Sequence, residues 1–272
     1  MILFARADAR KRPYSARVPH DLSAHAITRS YLICTVPRTG SALVCQRLRR
    51  TGLAGAPYEV FEAGPEATRH DSWNVSTFSD YFEAFRTRTA SRNGVIGAKL
   101  MWKQVEPAVE KLRHEAGYSG ARDDAVLESA FPGLRYLWLK RDDKIRQGLS
   151  WWRAETTNKW DIRRDTQIAP APQYDFDAID ASVQRVIEHN AAWNEWFTAR
   201  DIVPYQLTYE SFLARPEHTL RDILRFLEID TPFDFAVRFD RFRWKRRSRR
   251  QSDEATDGFE SRYRAELASL GR

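Results

Sequence analysis

The sequence predicts an α/β protein with an open, three-layer fold and a mainly parallel sheet. Four short runs of branched and aromatic residues are almost continuously apolar, which is typical of strands covered by helices on both faces. These runs span residues 31–36, 95–100, 135–139 and 203–209. Helical periodicity fills the segments between them, so strands and helices are expected to alternate.

The helices that matter most for function follow strands directly. Helices are predicted at 41–50 and at 144–155, and Pro216 is expected to open another that ends near Ile229. A long amphipathic helix is predicted at 177–198. Its apolar stripe consists of Val183, Val186, Ile187, Trp193 and Phe197. In open sheets of this class, ligands bind at the carboxyl ends of the strands.

Length and composition predict one globular unit. The chain has 272 residues, with 42% hydrophobic and 30% charged content, and contains no linker-like stretch. Residues 1–28 are predicted to form a loosely ordered basic arm, and residues 29–272 a single domain. Apolar runs fall well short of the roughly 18 residues of a membrane helix, and the amino terminus lacks a secretory pattern. With two cysteines, Cys34 and Cys45, and neither a disulfide framework nor a zinc site supported, a cytoplasmic location is expected.

The positive charge is concentrated in one segment. The chain carries 44 basic and 37 acidic residues, a net charge of +7. Residues 238–250 read RFDRFRWKRRSRR and contain all of that excess. A solvated basic face is the plainest interpretation. The alternative from another functional class is a nucleic-acid-binding module, with Phe242 and Trp244 stacking on bases between the cations.

The first strand leads into a loop suited to anions. The order Pro37, Arg38, Thr39, Gly40, Ser41, Ala42 places a glycine, two hydroxyls and a cation at a helix amino terminus. Backbone N–H groups and the helix dipole favour an anion there. A helix capped by Ser or Thr without a ligand is an equally supported alternative. The loop is not a Walker motif, and no GxGxxG occurs, so kinase and dehydrogenase functions lose support.

The third strand ends in a second candidate anion site. Arg141 stands at the strand end and Ser150 on the helix that follows. Taken alone, this stretch is better explained as a solvated charged turn. Two such sites on one sheet, however, fit a ligand that has two separated phosphate groups.

Taken together, the motifs resemble those of the sulfotransferases that use 3′-phosphoadenosine 5′-phosphosulfate (PAPS), in particular the bacterial trehalose 2-sulfotransferase-like branch. Besides the two strand ends, the resemblance rests on GAPYEVF at 55–61, GAKLMWKQ at 97–104 and RQSDEATDGFESRYR at 250–264. It extends from Tyr31 to about Leu267. It implies a P-loop-like sulfotransferase fold and PAPS as the sulfuryl donor, without a metal.

The resemblance also implies residue roles. Ser150 and Arg141 would bind the 3′-phosphate, and the first loop the 5′-phosphosulfate, with Lys99 near the transferred group. The basic segment, extended to 238–264, would cover the nucleotide as a lid. The implied nucleotide-binding residues are Pro37, Arg38, Thr39, Gly40, Ser41, Ala42, Arg141, Ser150, Arg249, Arg250 and Gln251.

The general base is the main departure from the classical enzymes. They place a histidine after a strand-end Lys-Thr pair, whereas this chain has Lys99, Leu100 and Met101, and a thioether takes no proton at neutral pH. In the resembled branch the base is a glutamate, which is Glu59 here, with Arg38 and Lys99 as the other catalytic residues. A surface carboxylate remains the alternative for Glu59. The histidines rank lower because they are predicted in the arm, in a polar loop or in helices away from the strand ends: His20, His25, His70, His114, His189 and His218.

The acceptor is expected to be a hydroxyl of a carbohydrate or glycosylated small molecule. A natural-product phenol or alkyl hydroxyl is the alternative. A homodimer is implied by the resemblance alone, and no nucleic-acid partner is expected. The candidate acceptor-binding residues are Glu59, Phe61, Met101, Trp102, Gln104 and Arg153.

Overall fold

The computed structural model describes residues 26–160, 172–231 and 254–271. The predicted arm therefore lies outside the described residues except for 26–28. The basic segment 238–250 also lies outside them, together with Arg249, Arg250 and Gln251.

The sheet is parallel and has four strands in the order β2-β1-β3-β4. Ile33 of β1 pairs with Lys99 of β2, and Cys34 of β1 pairs with Trp138 of β3. This register brings the carboxyl ends of the strands to one edge. The strands are β1 (Arg29–Thr35), β2 (Val95–Met101), β3 (Leu134–Lys140) and β4 (Tyr205–Thr208).

Helices cover both faces, which confirms the predicted three-layer α/β architecture. Side chains of a strand point alternately to its two faces, and β1 follows this rule. Leu32 and Cys34 belong to one buried cluster, whereas Tyr31 and Ile33 belong to another. Both faces of the sheet are therefore dry, which explains why its strands are apolar without alternation.

The helices agree closely with the predicted ones where predictions were made. Helix α1 begins at Ser41 and α6 at Lys144, each soon after a strand. The helices are α1 (Ser41–Thr51), α2 (Ala63–Trp73), α3 (Phe78–Thr89), α4 (Val105–His114), α5 (Asp123–Ala130), α6 (Lys144–Thr157), α7 (Phe176–Thr198), α8 (Tyr209–Ala214), α9 (Pro216–Phe226) and α10 (Glu254–Ser269). A short 3₁₀ turn, Trp102–Gln104, follows β2.

Three local predictions were wrong. Val203 is 89% exposed and precedes β4, because the chain still runs through a loop after α7. Ile187 is 45% exposed, since it falls beside the apolar stripe of α7 rather than on it. His70 lies in α2 and not in a loop.

The carboxyl-terminal helix α10 packs on α6 and α7. Tyr263 is fully buried, and its hydroxyl donates to Asp180 Oδ1 at 2.5 Å. Arg146 Nε of α6 donates to Glu260 Oε2 at 2.7 Å. This apolar and ionic contact holds α10 against the helix that carries Ser150.

Cys34 and Cys45 are both buried and are not bonded to each other. None of the helices in the described ranges combines the length and the apolar character that a membrane span requires.

Candidate active site

The loop between β1 and α1 is wound tightly by its own backbone. Arg38 has φ 65° and Gly40 has φ 87°, both in the left-handed region. The fully buried Thr39 turns its hydroxyl back to the Val36 carbonyl at 2.5 Å. The cap residue of α1 is Gly40, which supplies no side-chain hydrogen bond. The interpretation of this loop as a helix end capped by a Ser or Thr side chain is therefore wrong, because no hydroxyl caps the first turn of α1.

Gly40 is required by its neighbour as well as by its conformation. A Cβ atom at this position would lie 2.4 Å from Cδ2 of Tyr209. Tyr209 begins α8, directly after β4. The aromatic ring thus packs so closely against the loop that only a residue without a side chain fits at this position.

Residues of β3 and α6 hold the loop from the other side. Gln147 is completely buried, and its Nε2 donates to the Pro37 carbonyl at 2.8 Å. Arg141 Nη1 donates to the Arg38 carbonyl at 3.3 Å. The Thr35 hydroxyl donates to the Leu139 carbonyl at 2.9 Å. The loop and the end of β3 consequently form one connected unit, which we call the β1–β3 site: residues 37–41 with Arg141, Gln147 and Ser150.

The side chain of Arg38 lies on α6. Its Nε donates to Ser150 Oγ at 3.0 Å, and its Nη1 donates to the Trp160 carbonyl at 2.7 Å. The residues predicted for two separate phosphate groups are therefore in direct contact.

An acidic residue lies next to Arg141. Glu210 Oε1 is 3.9 Å from Arg141 Nε, and Glu210 Oε2 accepts from the Asp142 N–H at 3.0 Å. The Arg141 guanidinium also lies over the Tyr209 ring, 5.3 Å from its centroid. These contacts orient the guanidinium toward the loop and away from bulk solvent.

A second polar centre lies at the end of β2. Lys99 and Glu59 form an ion pair, and their side chains are only 11% and 17% exposed. Glu59 is placed there because its neighbour Tyr58 bridges to Ala98 in parallel. The Lys99 N–H also donates to the Tyr58 carbonyl at 2.8 Å. We use the name β2 site for Glu59 and Lys99 together with residues 101–104, which comprise the last residue of β2 and the 3₁₀ turn.

Cys45 of α1 lies close to this ion pair. Burial raises the pKa of its thiol to about 11, with the Lys99 charge acting in the opposite direction and the Glu59 charge in the same one. Cys45 is therefore a neutral thiol at physiological pH and adds no charge to the β2 site.

The remaining predicted acceptor residues have other contacts. Gln104 Oε1 accepts from the Met101 N–H at 3.0 Å, which closes the 3₁₀ turn. Phe61 is buried in the core, where it stacks on Phe82. The contacts of Gln104 and Phe61 are therefore with other parts of the fold. Met101 and Trp102 remain partly exposed at the strand end.

Arg153 is directed away from the β2 site. Its Nη1 donates to Thr256 Oγ1 of α10. This hydrogen bond joins α6 to the carboxyl-terminal helix, and the predicted part of Arg153 in acceptor binding stays a prediction.

The position of His189 differs from the predicted one. Its ring lies 5.5 Å from that of Trp151, the residue after Ser150. The pKa of His189 is lowered to about 4, chiefly by burial, with the charges of Lys103 and Arg185 acting in the same direction. Thus His189 lies near the strand ends, between the two sites, and not away from them. His114 and His218 are at the ends of α4 and α9, and His20 and His25 lie outside the described residues.

Sequence reasoning missed Tyr209, Glu210 and Gln147. Tyr209 and Glu210 directly follow β4, so the expectation that ligands gather at strand ends could have identified them. Gln147 carried no such signal, since a polar residue in an amphipathic helix is ordinarily exposed.

Metal ligands are not gathered in the described part of the chain. No group of three or more His, Cys, Asp or Glu side chains suited to a metal ion occurs among those residues. The cationic side chains of the two sites are Arg38, Lys99, Lys103 and Arg141.

A comparison with protein families decides the classification. The family model described as Stf0 sulphotransferase matches residues 30–266. The chain belongs to the Stf0 sulphotransferase family. It is therefore a sulfotransferase, as the resemblance of its motifs predicts.

Curated relatives of this sulfotransferase include two mycobacterial enzymes. Trehalose 2-sulfotransferase of Mycobacterium tuberculosis (strain Erdman) is 26% identical, over 89% of this chain and 97% of that protein. Trehalose 2-sulfotransferase of Mycolicibacterium smegmatis is 24% identical, with the same coverage.

Solved structures similar to this sulfotransferase include the following two. The sulfotransferase domain from the curacin biosynthetic pathway has 13% identity and a TM-score of 0.44, covering 78% of this chain and 77% of that one. Retinol dehydratase in a complex with retinol and PAP has 11% identity and a TM-score of 0.36, covering 78% of this chain and 62% of that one.

Proposed function

We propose that this sulfotransferase moves a sulfuryl group from PAPS to a hydroxyl of a carbohydrate or glycosylated small molecule. The supporting observation is that two polar centres share the carboxyl edge of one parallel sheet. The β1–β3 site is rich in anion-binding groups, and the β2 site pairs a cation with a carboxylate. This division matches a doubly phosphorylated donor and a hydroxyl acceptor.

The donor is held by charge and by oriented N–H groups. The N–H groups of residues 39–41 and the Ser41 hydroxyl bind the 5′-phosphosulfate at the amino end of α1. Arg141 and Ser150 bind the 3′-phosphate, for which the planar guanidinium is well suited. Arg38 contributes a further cation between them.

The β2 site carries out the transfer. Lys99 lies near the sulfuryl group, and Glu59 takes the proton of the acceptor hydroxyl. A carboxylate must be ionised to accept a proton, and a neighbouring ammonium favours that form. As the acceptor oxygen bonds to sulfur, the bond from sulfur to the 5′-phosphate oxygen breaks. The released nucleotide keeps that electron pair, and the geometry is in-line.

The acceptor class is proposed from two lines of support. Both curated relatives carry trehalose in their names, and Trp102 lies partly exposed beside Met101 at the end of β2. An indole face suits stacking on a sugar ring. The predicted homodimer and cytoplasmic location stay predictions.

Calorimetry of nucleotide binding tests the donor assignment. We expect 3′-phosphoadenosine 5′-phosphate (PAP) to bind more tightly than adenosine 5′-phosphate by roughly 1.5–3 kcal/mol, the value of a charge-assisted hydrogen bond. Arg141→Ala should abolish this preference. Arg135→Ala is the matched control, because Arg135 lies at the other end of β3 and bonds to the Phe226 carbonyl. Equal affinities in the unmodified enzyme would contradict the proposal.

Assays with labelled PAPS test the acceptor. We expect label to be transferred to trehalose or another sugar from a panel, and to resist EDTA because Lys99 and the helix terminus supply the positive charge. Transfer to phenols alone would replace the proposed acceptor class. Loss of activity in EDTA that magnesium restores would contradict the proposed catalytic role of the cations.

A further inference from the structure

Arg38 makes contacts that differ from those expected of a 5′-phosphate ligand. Its Nε bonds to Ser150 Oγ at 3.0 Å, and its Nη1 bonds to the carbonyl of Trp160, just beyond α6. Both contacts draw the guanidinium along α6, toward the serine proposed to bind the 3′-phosphate, and away from the first turn of α1.

The backbone that carries Arg38 is held by neighbouring elements. Arg38 adopts φ 65°, a conformation that costs roughly 1–2 kcal/mol for a residue other than glycine. Two donors stabilise the turn around it. Gln147 Nε2 bonds to the preceding carbonyl, and Arg141 Nη1 bonds to the carbonyl of Arg38 itself. Both donors come from the elements that carry the proposed 3′-phosphate ligands, so the Cα of Arg38 is fixed beside them, within reach of Ser150.

The chemistry of the contact suits a phosphate. A serine hydroxyl that accepts the Arg38 Nε–H keeps its own hydrogen to donate to a third group. Arg38 and Ser150 therefore present one donor and one cation together. Arg141 bonds to the carbonyl of Arg38, so the charges of two guanidinium groups lie at the same loop, where they favour a dianion.

We propose that Arg38 is a ligand of the 3′-phosphate and determines the selectivity of the enzyme for 3′-phosphorylated donors. This inference rests on the proposed function. The 5′-phosphosulfate is then held by the N–H groups and hydroxyl of residues 39–41 and by Lys99. Arg38 and Ser150 act as one unit, so replacing either residue loses much of the PAP affinity that the pair contributes.

A double-mutant cycle tests the proposal. Affinities for PAP and for adenosine 5′-phosphate are measured by calorimetry on the unmodified enzyme, Arg38→Ala, Ser150→Ala and the double variant. We expect Arg38→Ala to weaken PAP binding roughly 10- to 150-fold, with adenosine 5′-phosphate changed about threefold or less. The double variant should lose much less than the product of the two single effects.

The opposite pattern would overturn the proposal. If Arg38→Ala weakens both nucleotides equally, and its effect multiplies with that of Ser150→Ala, Arg38 serves the 5′ end. The proposed function fails in a different way, namely by an absence of PAP preference in the unmodified enzyme.

Arg38→Lys provides a second, milder variant in case alanine destabilises the loop. Lysine keeps the charge but lacks the Nε–H that bonds Ser150. We expect roughly a 10-fold loss of PAP affinity with adenosine 5′-phosphate unaffected. Unchanged PAP affinity in this variant would refute the proposal, because charge near the loop would then suffice.

Discussion

The β1–β3 site and the β2 site lie on the same edge of the sheet but are assembled in different ways. In the β1–β3 site, predicted residues contact one another directly, as Arg38 does Ser150 and Arg141. In the β2 site, Glu59 and Lys99 form an ion pair, whereas Gln104 closes the 3₁₀ turn through the Met101 N–H and Phe61 packs in the core. The first site follows from strand-loop-helix units that are continuous in sequence. The second depends on a loop from elsewhere being paired to β2.

The largest effect is expected at the β2 site, from Glu59→Gln. The amide keeps the shape and a hydrogen-bond acceptor for Lys99 but cannot take the proton. We expect kcat to fall by about 10²- to 10⁴-fold, with PAP affinity nearly unchanged. Steady-state kinetics and calorimetry on the same preparation measure both quantities. If kcat stays near normal while His189→Ala abolishes it, the base has been misassigned.

The next largest effect is expected at the β1–β3 site, and it is tested by comparing the two glycines that flank α1, Gly40 and Gly52. Gly40→Ala forces a Cβ into the Tyr209 ring at a positive φ, whereas Gly52→Ala has the same kind of φ and no heavy atom within 4 Å. We expect Gly40→Ala to lower the free energy of unfolding by about 2–4 kcal/mol and to impair PAP binding. Gly52→Ala should cost about 1–2 kcal/mol and leave PAP binding intact. Urea unfolding and calorimetry check this, and equal losses at the two positions would mean that the ring contact is unimportant.

His189 lies between the two sites and should make stability depend on pH. The pKa of His189 is lowered to about 4 by burial, and by Lys103 and Arg185, whereas it is about 6.5 in an unfolded chain. Between these values the unfolded state binds more protons, so stability should decrease as the pH falls from 6.5 to 4, by about 3 kcal/mol at most. His189→Phe keeps an aromatic neighbour for Trp151 and should flatten this part of the profile. Identical profiles in urea unfolding between pH 4 and 7.5 would show that His189 is not the cause.

The smallest effect separates a structural from an acceptor-binding role within the β2 site. Because Gln104 Oε1 accepts from the Met101 N–H, Gln104→Leu should lower the free energy of unfolding by about 1 kcal/mol. We expect the KM for the acceptor to change less than that for Trp102→Leu, the matched variant at an exposed neighbour. A large rise in acceptor KM for Gln104→Leu without loss of stability would restore Gln104 to the acceptor site.

Much of the fold was predictable from the sequence because it depends on short-range patterns. The apolar runs of β1, β2 and β3 and the helices beginning at Ser41, Lys144 and Pro216 were identified to within a residue or two. The anion-binding loop was also found, since a glycine and hydroxyls between a strand and a helix have a local physical meaning. Glu59 and Lys99 were selected through the resemblance, and the structure shows them in contact.

Only the tertiary structure determined the partners of individual side chains. A buried glutamine on α6 reaches the loop after β1, and a histidine on α7 contacts Trp151 of α6, because helices pack across the sheet. Their sequence neighbourhoods resemble those of ordinary amphipathic helices. The direction of Arg38 was likewise hidden, because it depends on the left-handed turn that Gln147 and Arg141 support from more than 100 residues away. Sequence patterns record the periodicity of each element, whereas contacts between elements form only when the whole chain is folded.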